Sequence, residues 1–194
     1  MAQLPNFREQ IHEEKYDTLI RGVGVSTIGT KTTLFSSQNV GRPHLTNMQE
    51  GGRLSNEENF LVLSIRFYVQ FATGIMYRYI EDGIVWTFKV ANKNMMGPLP
   101  LYVAPAGGGM CGNDVNAQGH VITNGTPDWS GILKFGKPVE VEKNQHFGVD
   151  IEFYDFDSLD GNTPAISPRT QLNADVNLKI VQCFLGGVLE RQVQ

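Results

Sequence analysis

The chain has 194 residues, a formal net charge of −4, 41% hydrophobic and 19% charged side chains. That balance suits one packed domain and excludes an intrinsically disordered chain, and lysines and arginines scattered singly exclude an electrostatic grip on nucleic-acid phosphates. The opening MAQLPNFREQIHEEKY lacks the layout of a secretion signal, and no apolar run approaches the roughly 18 residues that span a bilayer, so a soluble protein made in a cytoplasm is expected.

Residues 7–20, FREQIHEEKYDTLI, are charged, with apolar groups at Phe7, Ile11, Leu19 and Ile20. This reads as a short amphipathic helix or an extended arm, so residues 1–29 are set apart from a folded domain over 30–194. A β-branched run ending at Phe35 predicts a first strand over 30–36, and Gly51-Gly52 marks a turn into the next. That next stretch, NFLVLSIRFYVQF over 59–71, is the strongest signal in the chain. Leu61, Leu63, Ile65, Phe67, Val69 and Phe71 share one parity, while Ser64, Arg66, Tyr68 and Gln70 share the other. Successive side chains of a strand point to opposite faces, so an unbroken alternation predicts one apolar and one polar face.

Strands are expected next over 77–80 and 84–90, separated by a turn at Asp82-Gly83, with Trp86, Phe88 and Val90 facing one way. A short strand over 98–103 carries prolines that confine it to a sheet edge or to a strand's beginning. A Gly- and Asn-rich loop from 107 to about 128 follows, then two short strands, 131–135 and 138–142, around Gly136. Residues 145–154 alternate again, with Phe147, Val149, Ile151 and Phe153 opposite Asp150 and Glu152. After a polar loop over 155–173 a last strand is expected over 176–185, ended by Gly186-Gly187. Roughly eight strands joined by unequal loops predict an all-β fold, an antiparallel two-sheet sandwich wound as a single jelly roll with an N-terminal arm. An immunoglobulin sandwich would carry a Cys, Trp, Cys pattern that is lacking here.

Chemistry-bearing residues are dispersed. Cys111 and Cys183 lie far apart and read as free thiols, Cys183 in the core and Cys111 in the Gly-rich loop. His12, His44, His120 and His146 include no close pair with a neighbouring Glu, which a cupin-type metal site needs to converge its ligands. Asp155, Asp157, Asp160 and Gly161 resemble a calcium loop, but Ile166 stands where a closing Glu belongs. There is no Gly-x-Ser-x-Gly, Gly107 to Gly109 lack the ending of a phosphate loop, and Asn124-Gly-Thr126 reads as a turn. Glu140, Glu142, Asp150 and Glu152 could line a sugar cleft but equally make the solvent side of half-buried strands, and Trp86 reads as core while Trp129 precedes a strand. No catalytic residue, metal or cofactor is expected, and the chain is read as a non-enzyme.

Three phrases taken together carry a likeness: Asn47-Met48-Gln49-Glu50-Gly51-Gly52-Arg53-Leu54 leading into Phe60-Leu-Val-Leu-Ser-Ile65; Phe135-Gly-Lys-Pro-Val-Glu-Val141 followed by Gln145-His-Phe147; and Phe184-Leu-Gly186 with Arg191-Gln-Val193. In this order, over about residues 46–193, the chain resembles the single jelly-roll virion proteins of bacterial and archaeal DNA viruses, especially capsid proteins whose barrel stands upright on the shell. The resemblance implies a self-assembling capsid component, major or minor, or a decoration protein, located in the virion and assembled in the host cytoplasm. It implies contacts with further copies of the chain as a homo-oligomer and with other virion proteins, with no direct nucleic-acid binding and with contact to an internal viral membrane left open. Candidate contact residues are Phe7 and Ile11 in the N-terminal segment and Met95, Met96 and Met110 in turn-like places, since adaptable methionines suit interfaces. A carbohydrate-binding β-sandwich, such as a receptor-binding virion module, is the alternative.

Overall fold

The computed structural model describes residues 8–20, 31–55, 58–71, 83–107, 122–123, 128, 131–153 and 178–192. Its strands are β1 (Arg8–Ile20), β2 (Lys31–Leu34), β3 (Glu58–Phe71), β4 (Ile84–Val90), β5 (Lys93–Pro100), β6 (Ile122–Thr123), β7 (Leu133–Val141), β8 (Phe147–Phe153) and β9 (Leu178–Gln192). In one sheet the order is β1-β9-β3, with β7 and the two-residue β6 both on the far side of β3; in the other it is β2-β8-β4-β5. The ladders are antiparallel throughout. The pairs β4·β5, β3·β7, β2·β8 and β1·β9 are nested around the turn between β4 and β5. The chain is thus one long two-armed hairpin, wound so that successive pairs fall in alternate sheets, which is the jelly-roll arrangement.

Winding is driven by the apolar face that each sheet must hide. Phe67 of β3 meets Trp86 of β4 with ring centroids 5.3 Å apart, and Phe88 of β4 stacks on Phe135 of β7 at 6.0 Å, so both contacts bridge the two sheets. Phe60, Val62, Ile65, Phe67 and Val69 of β3 join Ile84, Trp86 and Phe88, Val149, Ile151 and Phe153, and Cys183 and Leu185 in one core. Each such large side chain removed from water contributes about 1.5–3 kcal/mol before chain entropy is counted.

The expected strand over 59–71 is present, but its alternation is broken. Val62 pairs with Gly187 and Ser64 with Gly186, so Leu63 is an extra residue with no partner position, a β-bulge. Before the bulge the buried residues are Phe60 and Val62; after it they are Ile65, Phe67 and Val69. Leu61 and Leu63, expected in the core, are therefore only half-buried, and Leu61 shares the outer face with its partner Val188. The ladder with β7 slips at the same place, leaving residues 135–138 around Gly136 unpaired with β3, within one continuous strand where two were expected.

The N-terminal segment differs from expectation. Residues 8–20 form neither a helix nor a free arm but the edge strand β1, in register with β9 from Arg8 opposite Gln192 to Ile20 opposite Ile180. The expected first strand near 30–36 is β2, the second in order. Gly186 and Gly187 do not end the last strand but lie inside it, because β9 runs on to Gln192. The proline-bearing strand begins earlier than expected, at Lys93, ends at Pro100 and passes into a short 3-10 turn over Leu101–Val103. Its place at the edge of its sheet follows from prolines that cannot donate to a ladder. The strand expected over 77–80, the turn at Asp82, and most of both long polar loops lie outside the described residues.

Gly187 explains why this strand carries glycine in its middle. A Cβ there would collide with the Leu61 carbonyl oxygen and come within 2.9 Å of Phe60 Cε2. Gly187→Ala should lower stability by about 1–3 kcal/mol through overpacking, read from the urea midpoint. Gly136→Ala, with nothing within 4 Å of its added methyl, should leave that midpoint nearly unchanged.

Candidate interaction surface

Because the bulge reverses the parity of β3, the outer face of the five-stranded sheet carries both apolar and polar groups. Cross-strand rows run Glu14, Gly186, Ser64; then Tyr16, Phe184, Arg66; then Thr18, Gln182, Tyr68. Arg66 Nη2 donates to Glu14 Oε2 at 2.6 Å, and its guanidinium lies 4.8 Å from the centre of the Phe184 ring. Tyr16 packs against Phe184 at 6.0 Å between centroids. Among the described residues the buried Arg66 Nε has no hydrogen-bond partner, so there the guanidinium is held by stacking and by one carboxylate. The cation on the ring contributes about 0.5–1 kcal/mol and the exposed ion pair about 0–1 kcal/mol, so the patch is worth more as shape than as stability.

The outer face of the second sheet carries a charge network on β8. Asp150 Oδ2 accepts from Lys31 Nζ at 2.8 Å and from Lys89 Nζ at 2.6 Å, while its Oδ1 accepts from Thr33 Oγ1 at 2.6 Å. Lys31 also reaches Glu152 Oε1 at 3.1 Å. Burial alone would raise the Asp150 carboxyl, but the bonds from Lys31, Lys89 and Thr33 together outweigh it and hold its pKa below the ordinary carboxylate range. The same bond to Asp150, with help from Glu152, raises the Lys31 ammonium.

At the end of β1, Asp17 accepts from the Phe35 backbone N–H at 2.5 Å and from Asn39 Nδ2 at 2.9 Å. Phe35 has φ +65°, a conformation unfavourable for a bulky residue, and the carboxylate and the fully buried ring hold it there. Burial raises the Asp17 carboxyl against the pull of its hydrogen bonds to Asn39 and the Phe35 amide. The loop over residues 39–47 covers the adjoining edge of β1. Tyr16 N–H donates to Asn47 Oδ1 and Asn47 N–H to the Tyr16 carbonyl, while Asn47 Nδ2 reaches the Glu14 carbonyl and Asn39 Nδ2 the Thr18 carbonyl. The Tyr16 hydroxyl donates to the Pro43 carbonyl.

Among the expected contact residues, Ile11 is half-buried on β1 opposite Leu189, Met95 is 44% exposed on β5, and Met96 packs against the core. Ile11 and the two methionines thus sit on edge strands of opposite sheets, and Phe7 and Met110 lie outside the described residues. Glu140 belongs to β7 in one sheet and Asp150 and Glu152 to β8 in the other, so the carboxylates are not gathered into one cleft. Trp86 is buried, as is Cys183, whose thiol is free. His120, Cys111, Trp129, Asn124 and the segment 155–161 lie outside the described residues. Among the described residues no group of three or more His, Cys, Asp or Glu is placed to hold a metal ion, and no helix is long and apolar enough to cross a membrane. The Tyr16, Phe184 and Arg66 row was only half visible in the sequence, since it needs β1 to be a strand. No family model matches the chain, and no curated protein and no solved structure matches it.

The Asp150 network makes stability depend on pH with a definite sign. The folded carboxyl binds its proton less readily than an exposed one, so its contribution is present above the ordinary value of 3.8 and fades as the pH falls through the lower folded-state pKa. Urea unfolding of Asp150→Asn against the natural chain should show a clear stability deficit near neutrality that shrinks in strong acid. A deficit of equal size at both pH values would contradict the network.

Proposed function

We propose that the protein is a bacteriophage-type virion structural protein, a self-assembling jelly-roll capsid component acting as a major or minor capsid or decoration protein. The observation that carries this reading is the nested jelly-roll winding together with the apolar and aromatic groups it leaves outside: Leu61 beside Val188, and Tyr16 against Phe184. Half-buried groups of this kind on a flat sheet face bury further area when copies stack by symmetry, which is how a shell repeats one contact many times. The likeness of the phrases around residues 47–65, 135–147 and 184–193 to single jelly-roll virion proteins supports the same reading. Its partners are then other copies of the chain and other virion proteins, and its place is the virion.

The carbohydrate-binding alternative draws on the same outer face, where Tyr16, Phe184 and Tyr68 are aromatic. It receives less support because the Arg66 guanidinium already covers a face of the Phe184 ring on which a sugar would stack. Mass in solution separates the two. Light scattering over a range of concentrations should give a mass that rises to a defined multiple of the chain, and a monomer at every concentration would sink the assembly reading. The intact chain is the right sample, since removing residues 1–29 would take away β1 and expose the edge of β9.

A further inference from the structure

A sheet edge is a row of unpaired amides and carbonyls, and most proteins block it. Three of the edge strands here are blocked. β2 is only four residues long and begins with Lys31. β5 has Pro98 and Pro100, which carry no N–H. β7 carries Lys134, Gly136, Lys137 and Pro138 at the slip in its ladder. The edge at β1 is, among the described residues, protected in its second half alone, by the Asn39 and Asn47 side chains and the Asn47 main chain.

Those bonds also say which groups face outward. The Tyr16 amide and carbonyl and the Glu14 and Thr18 carbonyls all take partners from the loop, so even-numbered residues of β1 point their main chain away from β9. Backbone groups alternate sides along an antiparallel strand, which puts the amides and carbonyls of Arg8, Gln10 and His12 on the outer edge. Among the described residues nothing pairs with them. This segment has no proline, glycine or lysine and keeps full strand geometry through thirteen residues of β1.

We infer that residues 9–13 of β1 pair antiparallel with the same residues of a second copy, across a two-fold axis through Ile11, the ladder ending where Asn47 Nδ2 takes the Glu14 carbonyl. This rests on the assembly reading above and names its contact. The registry follows from two requirements. Even residues must face even residues to exchange hydrogen bonds, and opposite charges must meet. With Ile11 on the axis, Gln10 stands opposite His12 and exchanges main-chain hydrogen bonds with it, Ile11 faces its symmetry mate, and at both ends Arg8, 3.5 Å from Glu190 in its own copy, comes beside the Glu14 carboxylate that also holds Arg66. Glu9 and Glu13 also face each other, but each already has a cation: Arg191 Nε lies 2.8 Å from Glu9 and Lys15 Nζ 2.8 Å from Glu13. Centring on Gln10 instead would set Arg8 against His12 and gain no ion pair. Joining two copies this way extends the five-stranded sheets into one and places the two Ile11 side chains, each half-buried, against one another.

Two variants test the contact. The Gln10 amide faces the free edge, so Gln10→Pro removes a donor to the second copy and none to β9; it should weaken association about tenfold or more in light scattering, with Gln10→Ala as the control that keeps the amide. In a Cys111→Ser background, Ile11→Cys should form a disulfide-linked dimer on mild oxidation, because residues facing each other in a non-hydrogen-bonded pair lie about 4.5 Å apart at Cα. Met95→Cys in the same background should not. If the chain associates but Gln10→Pro keeps its mass, the edge is not the contact, whether or not Ile11→Cys cross-links. Weakened association without a cross-link would overturn the two-fold through Ile11. A monomer at every concentration would overturn the assembly reading and this contact together.

Discussion

Phe67 against Trp86 is the contact on which the rest of the molecule depends, because it clamps an inner strand of one sheet, β3, to an inner strand of the other, β4, with which it shares no ladder. Neither sheet can keep its apolar face in water, and the winding of one long hairpin into two layers is the way this chain presents those faces to each other. The buried Phe88 and Phe35 continue the same seam toward its ends, each with an aromatic neighbour from another strand. Everything placed on the outside, including the Arg66 stack and the Asp150 network, takes its position from strands whose other side is fixed there.

Much of this was legible as alternation. The inward residues of β4 and β8 were read from the sequence, because two-sided strands in the middle of a sheet follow a clean period of two. Two features escaped for physical reasons. The bulge at Leu63 depends on Gly186 and Gly187 in a strand more than a hundred residues away, and no local pattern around Leu63 announces it. β1 escaped because its inward parity runs Ile11, Glu13, Lys15, Asp17 and Leu19, mixing charge into a row that a central strand would keep apolar. At a sheet edge such charges find partners, as Lys15 does with Glu13 and Asp17 does with the Phe35 amide, so hydrophobic periodicity no longer reports the strand. The outer patch was legible in one strand, as the row Ser64, Arg66, Tyr68, and illegible in the partners that complete it.

The sheet edges are treated unevenly. An interface made of main-chain hydrogen bonds asks little of side-chain identity beyond avoiding clashes and like charges, and it is geometrically strict about register. Among the described residues, three edges carry such blocks and the first half of β1 does not. The Asn47 cap closes the edge from Glu14 onward, since its side chain and main chain take the outward groups of Glu14 and Tyr16.

Cys183 gives the core a chemical clock. It lies wholly buried on β9, opposite Asp17, and burial first and the nearby carboxylate second push its thiol pKa well up. A thiol is alkylated through its thiolate, so in the folded chain this sulfur is shielded both by packing and by protonation. Its modification therefore marks the moment when β9 leaves the sheet. Since β9 lies between β1 and β3, that moment is also when both of its neighbours lose a partner, and the rate of labelling would measure how long the wound hairpin stays closed.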